Sequence, residues 1–216
     1  MKDFKYILFD LDGTITDPGE GITNSVAYSL KTYGIEVADK KELYTFIGPP
    51  LYASFMKYYG FSEEQSIEAV ARYREYYSDK GVFECTLYDG IEGLLEKLSA
   101  EGKKIILATS KPELYAVKIL KHFDLYKYFY HVAGATMDGH RIEKADVIEY
   151  AFKNLGITDR ENAVMIGDRE YDIIGAKQCG ISSIGVTYGY GSREELQNAG
   201  AELLCERVED IEKSLL

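Results

Sequence analysis

Tyr6-Ile7-Leu8-Phe9-Asp10-Leu11-Asp12-Gly13-Thr14 decides how the fold is read. Four apolar residues run together and stop at two acids, a glycine and a threonine. An unbroken apolar run of this length suits a strand covered on both faces, as in a parallel sheet. Working outward, Lys104-Ile105-Ile106-Leu107-Ala108, His131-Val132-Ala133-Gly134, Ala163-Val164-Met165-Ile166-Gly167 and Ser183-Ile184-Gly185-Val186 have the same form, and 201–205 reads as a sixth run. Helical stretches are expected between them near 90–100, 112–123, 143–154, 170–179 and 192–199, with a closing helix at 207–215. This alternation predicts an α/β fold, a Rossmann-like parallel sheet with helices on both faces.

One stretch breaks the rhythm. From Gly19 to Lys80 no strand pattern occurs, while Ile22, Val26 and Leu30 recur at helical spacing, as do Ile67, Val70, Ala71 and Tyr77. Gly48-Pro49-Pro50 punctuates the middle and can open a helix, since proline suits its first turn. The expectation is a core domain of 1–17 and 83–216 with a small helical domain, 18–82, inserted after the first strand. Its connectors would be Asp17-Pro18-Gly19 and Lys80-Gly81. An insert hung on two connectors can open and close over a site as a lid.

The 216 residues carry a net charge of -11, which disfavours binding to a nucleic-acid backbone. The three cysteines, Cys85, Cys179 and Cys205, are widely spaced and form no CxxC, against a disulfide framework or structural zinc and for a reducing compartment. The charged start, Met1 to Phe4, does not read as a signal peptide, and no apolar run nears the ~20 residues that span a bilayer. A cytoplasmic protein with no membrane partner is expected.

Ligands of open parallel sheets bind beyond the carboxyl ends of the strands. Asp10-Leu11-Asp12-Gly13-Thr14 follows the first run, Thr109-Ser110-Lys111-Pro112 the second, and Asp168-Arg169-Glu170-Tyr171-Asp172 the fourth, while Lys144 opens the helix after the third. These carboxylates, hydroxyls and one lysine share a single predicted edge. Acids at close contact repel by roughly 4 kcal/mol per pair at an intermediate dielectric, and a divalent cation reverses this. Hard oxygen ligands without histidine or cysteine favour magnesium. Lys144 adds a point charge for phosphate, and the helix opening near Pro112 aims free N–H groups the same way. Acids two residues apart in extended chain share a side, so one can attack phosphorus while the other handles the leaving-group proton. Taken singly, each residue reads as a turn, cap or surface group; the ordered set carries the case. Other motifs fail: Gly13 stands fourth from the first Asp, where a calcium loop needs sixth, and neither GxxxxGK[ST] nor GxSxG occurs. The positions six after each cysteine are Ile91, Gly185 and Ile211, not arginine. Gly189-Tyr190-Gly191 is half a dinucleotide fingerprint, far from the first strand.

On these residues the chain resembles the haloacid dehalogenase superfamily of phosphatases. Phe9 to Thr14 looks like its first signature, Thr109 its second, Lys144 its third, and Gly167-Asp168 with Asp172 its fourth; the helical insert is similar to its small cap domain. The resemblance implies that Asp10 forms an aspartyl-phosphate and that Asp12 is acid and base and lends a backbone carbonyl to Mg2+. It implies that Asp10 and Asp168 complete the metal shell, with Asp172 behind it. Thr109, Ser110 and Lys144 would hold the phosphoryl oxygens of a small phosphorylated metabolite, and Gly48, Pro49 and Pro50 in the cap would govern specificity. Within the family, Phe46-Ile47-Gly48-Pro49-Pro50-Leu51, Thr109 to Pro112, Lys144-Ala145-Asp146 and Gly167-Asp168-Arg169 look most like the 5'-nucleotidase and phosphoglycolate phosphatase branch. The 5'-nucleotidase-like group is favoured and phosphoglycolate phosphatase is the alternative; a β-phosphoglucomutase-like phosphotransferase is the nearest non-hydrolase. Dehalogenase activity is disfavoured by the second acid, and a non-catalytic binding protein by the full set of functional residues.

Overall fold

A computed structural model describes residues 3–216 and divides them into two compact units, 3–16 with 87–216, and 17–86. The chain passes between the units through two short strands, β2 (Thr16–Asp17) and β3 (Thr86–Leu87), which pair with each other.

The larger unit is built on β1 (Tyr6–Phe9). Among the described residues it forms a six-stranded parallel sheet with β4 (Lys104–Pro112), β5 (His131–Ala135), β6 (Ala163–Gly167), β7 (Ser182–Val186) and β8 (Leu203–Cys205), in the order β5-β4-β1-β6-β7-β8. Period-2 alternation sends Leu8, Ile106, Ala108, Ala133 and Met165 to one face, where they pack with Val147, Ile148, Ala151 and Phe152 of one helix and Ala176 of another. Ile7, Phe9, Ile105, Leu107, Val164 and Ile166 alternate with them and are also fully buried. Both faces are therefore covered, which is why the runs read as continuously apolar. The second apolar run is expected to end at Ala108. Instead β4 continues through residues 109–112, and three of its residues advance against one of β5 between Thr109↔Gly134 and Pro112↔Ala135. That bulge lifts Ser110 and Lys111 out of the regular ladder.

The smaller unit packs α1 (Gly19–Lys31), α2 (Leu51–Tyr59) and α3 (Glu63–Tyr77) around Val26, Leu30, Phe46, Phe55 and Tyr73. Phe46 and Phe55 meet edge to face with ring centres 5.0 Å apart. The buried stripe of α3 is Ser66, Ala69, Tyr73 and Tyr77, whereas the sequence pattern pointed to Ile67, which is 63% exposed. Small residues win this face because α3 lies close against α1: the Ser29 hydroxyl donates to the Ala69 carbonyl at 2.8 Å. The remaining helices are α4 (Ile91–Ala100), α5 (Glu113–His122), α6 (Lys144–Leu155), α7 (Glu170–Gln178), α8 (Arg193–Ala199) and α9 (Val208–Leu215), all in the larger unit. No helix among the described residues is long and apolar enough to cross a membrane.

Candidate active site

Register alone brings the polar residues together. Phe9 pairs with Leu107 on one side and Ile166 on the other, so Asp10 stands level with Ala108 and Gly167, one residue before Thr109 and Asp168. The Asp10 amide still donates to the Ile166 carbonyl at 2.9 Å. The chain then folds sharply: the Leu11 carbonyl accepts from the amides of Thr14, Ile15 and Thr16, and the fully buried Leu11 side chain pins the turn. Gly13 has φ +82°, and a Cβ there would fall 2.2 Å from an Asp168 carboxylate oxygen, so both backbone and space demand glycine.

Three carboxylates converge. One oxygen each from Asp10, Asp168 and Asp172 lies within 4.8 Å of the others, all buried. Asp172, in the first turn of α7, accepts from the Arg169 amide at 3.1 Å. Lys144, at the start of α6 and 4% exposed, reaches Asp10 Oδ1 at 2.7 Å, Asp172 Oδ1 at 2.8 Å and the Ala108 carbonyl at 2.8 Å. The Asp10 and Ala108 contacts are hydrogen bonds, whereas the Asp172 contact is an ion pair whose oxygen has no hydrogen-bond partner.

Burial and mutual repulsion set the charges. Burial holds Asp168 well above the usual carboxylate range, with Asp172 and Asp10 adding repulsion. Burial likewise lifts Asp172 to about 6, against the pull of a lysine that it shares with Asp10. Burial disfavours the Lys144 ammonium, but Asp10 and Asp172 outweigh it and hold its pKa above the ordinary lysine value. Three buried carboxylates facing one ammonium are short of positive charge. The donors are all hard oxygens, with neither histidine nor cysteine among them, so the set fits Mg2+.

Asp12 takes a separate partner. Its Oδ2 lies 2.8 Å from Nζ of Lys111, itself only 8% exposed, while its Oδ1 is buried without a hydrogen-bond partner. Burial raises its pKa against the opposing charge of Lys111. The carboxylate of Asp12 is thus not among the three convergent ones, and that of Asp172 is. Thr109 is buried at the end of the regular part of β4, where its Oγ1 accepts from the Lys111 amide at 3.2 Å, and Ser110 beside it is half-buried. Gly48, Pro49 and Pro50 lie in the smaller unit, with Pro50 immediately before α2. Sequence reasoning counted one lysine and missed Lys111; its signal was a charged residue directly after the phosphate-type hydroxyls of β4. It also set aside Gly189-Tyr190-Gly191, whose Tyr190 amide donates to Asp168 Oδ2 at 2.8 Å.

An acid cluster with a buried lysine at the carboxyl edge of a parallel sheet, and a helical insert after the first strand, define the class of molecule. Residues 7–186 match the sequence profile of the haloacid dehalogenase-like hydrolases, and the chain belongs to that family. Among its relatives, a 5'-nucleotidase of Pseudomonas aeruginosa is 45% identical over 191 residues, 88% of this chain and 86% of that protein. Tyrosine-protein kinase PtkA of Mycobacterium tuberculosis is 38% identical over 86% of this chain, which spans only 62% of the kinase. The crystal structure of a predicted phosphatase from Clostridium acetobutylicum matches at 50% identity and a TM-score of 0.95, covering 99% of each chain.

Proposed function

We propose that this phosphoric monoester hydrolase acts through an aspartyl-phosphate on Asp10 and is 5'-nucleotidase-like in substrate class. One observation carries the mechanism: acids two residues apart meet different lysines, Asp10 facing Lys144 and Asp12 facing Lys111. Environments that separate two carboxylates also separate their roles. Asp10 attacks phosphorus and the bond from phosphorus to the ester oxygen breaks. Asp12, whose pKa burial raises against the pull of Lys111, gives a proton to that departing oxygen. Asp12 then takes a proton from the water that attacks the aspartyl-phosphate, and inorganic phosphate leaves Asp10 free. Thr109, Ser110 and Lys144 bind the phosphoryl oxygens. Asp10, Asp168 and the Asp12 backbone carbonyl would hold Mg2+, with the Asp172 carboxylate beside them. The bound ion would supply positive charge against the negative charge of the phosphoryl oxygens.

The nucleotidase assignment is supported by the 45% identical relative of that name. Selectivity is assigned to the insert, with Gly48, Pro49 and Pro50 as its candidates. The test is a screen of nucleoside 5'-monophosphates, 2-phosphoglycolate, sugar phosphates and pyrophosphate, with Mg2+ and with chelator. Nucleoside monophosphates should turn over fastest, and chelator should abolish turnover until Mg2+ is restored. Full activity in chelator would sink the metal reading, and a preference for 2-phosphoglycolate would replace the substrate.

A further inference from the structure

The segment after β7, Thr187-Tyr188-Gly189-Tyr190-Gly191, takes no part in the chemistry proposed above, yet it is wrapped around one carboxylate. Its base is tied to the neighbouring strand, where the Thr187 amide donates to the Cys205 carbonyl at 2.9 Å. The Tyr188 hydroxyl reaches across to the nucleophile loop and donates to the Thr14 carbonyl at 2.9 Å, its ring packed on Tyr88 with centres 4.7 Å apart. The Tyr190 amide donates to Asp168 Oδ2 at 2.8 Å. The flanking glycines leave no room for a side chain. A Cβ on Gly189 would sit 2.3 Å from the Gly13 carbonyl oxygen and 2.5 Å from Asp168 Oδ2, and one on Gly191 would sit 1.9 Å from the Asp168 carbonyl oxygen.

Each contact constrains something different. A carboxylate at the end of a short side chain can rotate, and a backbone donor on one oxygen stops it. That donor must come within 2.8 Å, which requires the chain to pass over Asp168 with hydrogen atoms where side chains would be. The tyrosine hydroxyl then ties the same segment to the turn that follows Asp10 and Asp12. We propose that residues 187–191 are a buckle that positions the Asp168 carboxylate against Asp10 for the metal, with Tyr188, Gly189 and Gly191 as positioning residues. The proposal rests on the Mg2+ reading above. It gives the paired glycines a role in backbone approach to a metal-facing acid, not in dinucleotide binding.

The test is Mg2+ binding to the whole enzyme by titration calorimetry, for the wild type, Gly189→Ala and Tyr188→Phe. Partners that orient metal ligands are typically worth 10–100-fold in metal affinity. Gly189→Ala should weaken Mg2+ binding by about that factor and Tyr188→Phe by about the lower end of it. Turnover of p-nitrophenyl phosphate by both should recover as Mg2+ is raised, which a general folding defect would not allow. Tyr188→Phe keeps the ring and its packing, so it decides the matter if Gly189→Ala does not fold. Wild-type Mg2+ affinity in folded Tyr188→Phe and Gly189→Ala overturns the proposal while the metal reading stands. A wild-type enzyme that binds no Mg2+ overturns the metal reading and the buckle with it.

Discussion

Asp10 and Asp12 are separated by one buried leucine and by two lysines. Lys144 holds Asp10 together with Asp172, and Lys111 holds Asp12. If Asp12 is the acid and base, its loss should depend on the leaving group. An alkoxide leaves badly without a proton, whereas a nitrophenolate leaves well. Asp12→Asn should therefore slow the first step on a nucleoside monophosphate by ~10²–10⁴ and much less on p-nitrophenyl phosphate. The second step loses its base with either ester, so with p-nitrophenyl phosphate the variant should release up to one equivalent of phenolate and stall as phosphoenzyme. Rapid quench with intact-mass detection reads both effects. Equal losses on both esters with no phosphorylated protein would remove Asp12 from that role.

At the scale of elements, the bulge in β4 lies beside the edge strand β5, which α5 and Arg141 brace. Gly134 of β5 donates its amide to Glu113 at 3.2 Å, and Arg141 bridges the Gly134 carbonyl and Glu113 while stacking on Tyr150 at 3.5 Å. His131 opens this strand with its Nε2 buried and without a hydrogen-bond partner. Burial lowers its pKa, Glu113 raises it and Arg141 lowers it, with a net shift below the ordinary 6.5. The unfolded chain therefore takes up this proton first. Well above pH 6.5 neither state is protonated there and His131 contributes no pH dependence; as pH falls through the unfolded value of 6.5 toward the lower folded one, stability is lost. Between pH 7.5 and 5.5 the urea midpoint of the wild type should fall further than that of His131→Gln. Parallel curves would show that another group is responsible.

For the whole molecule, the strand order β5-β4-β1-β6-β7-β8 places β1 between β4 and β6, so residues more than 150 positions apart share one cluster. Three like charges are buried together there, and a ligand that binds only the folded state stabilises it by mass action. At a Mg2+ concentration near 100 times its dissociation constant the gain is about 2.7 kcal/mol. For a chain of this size that corresponds to a rise of about 5–10 °C in melting temperature. Differential scanning calorimetry of the enzyme with chelator and with Mg2+ should show the rise, and Asp168→Asn should show a smaller one. An unchanged Tm would argue against a cation in the cluster.

The apolar runs 6–9, 104–108 and 163–167 and the acids that end them were legible because burial on both faces leaves a continuous signature, and because strand ends in a parallel sheet share an edge. The placement of Asp10, Asp12, Asp168 and Lys144 at one edge of the sheet followed from local order, as did the helical character of residues 19–80. The phase of α3 did not, because Ser66 and Ala69 are buried by the close approach of α1, which no single-helix pattern encodes. Nor did Lys111, which a bulge carries onto Asp12, or the convergence of the Asp172 carboxylate with those of Asp10 and Asp168. Gly189 and Gly191 looked like fragments of another motif until the backbone of residue 190 was seen against Asp168. Periodicity and chain order report burial and topology, which are properties of segments. Which charge faces which within 3 Å is set by register, bulges and backbone approach between segments, and only the tertiary structure holds those.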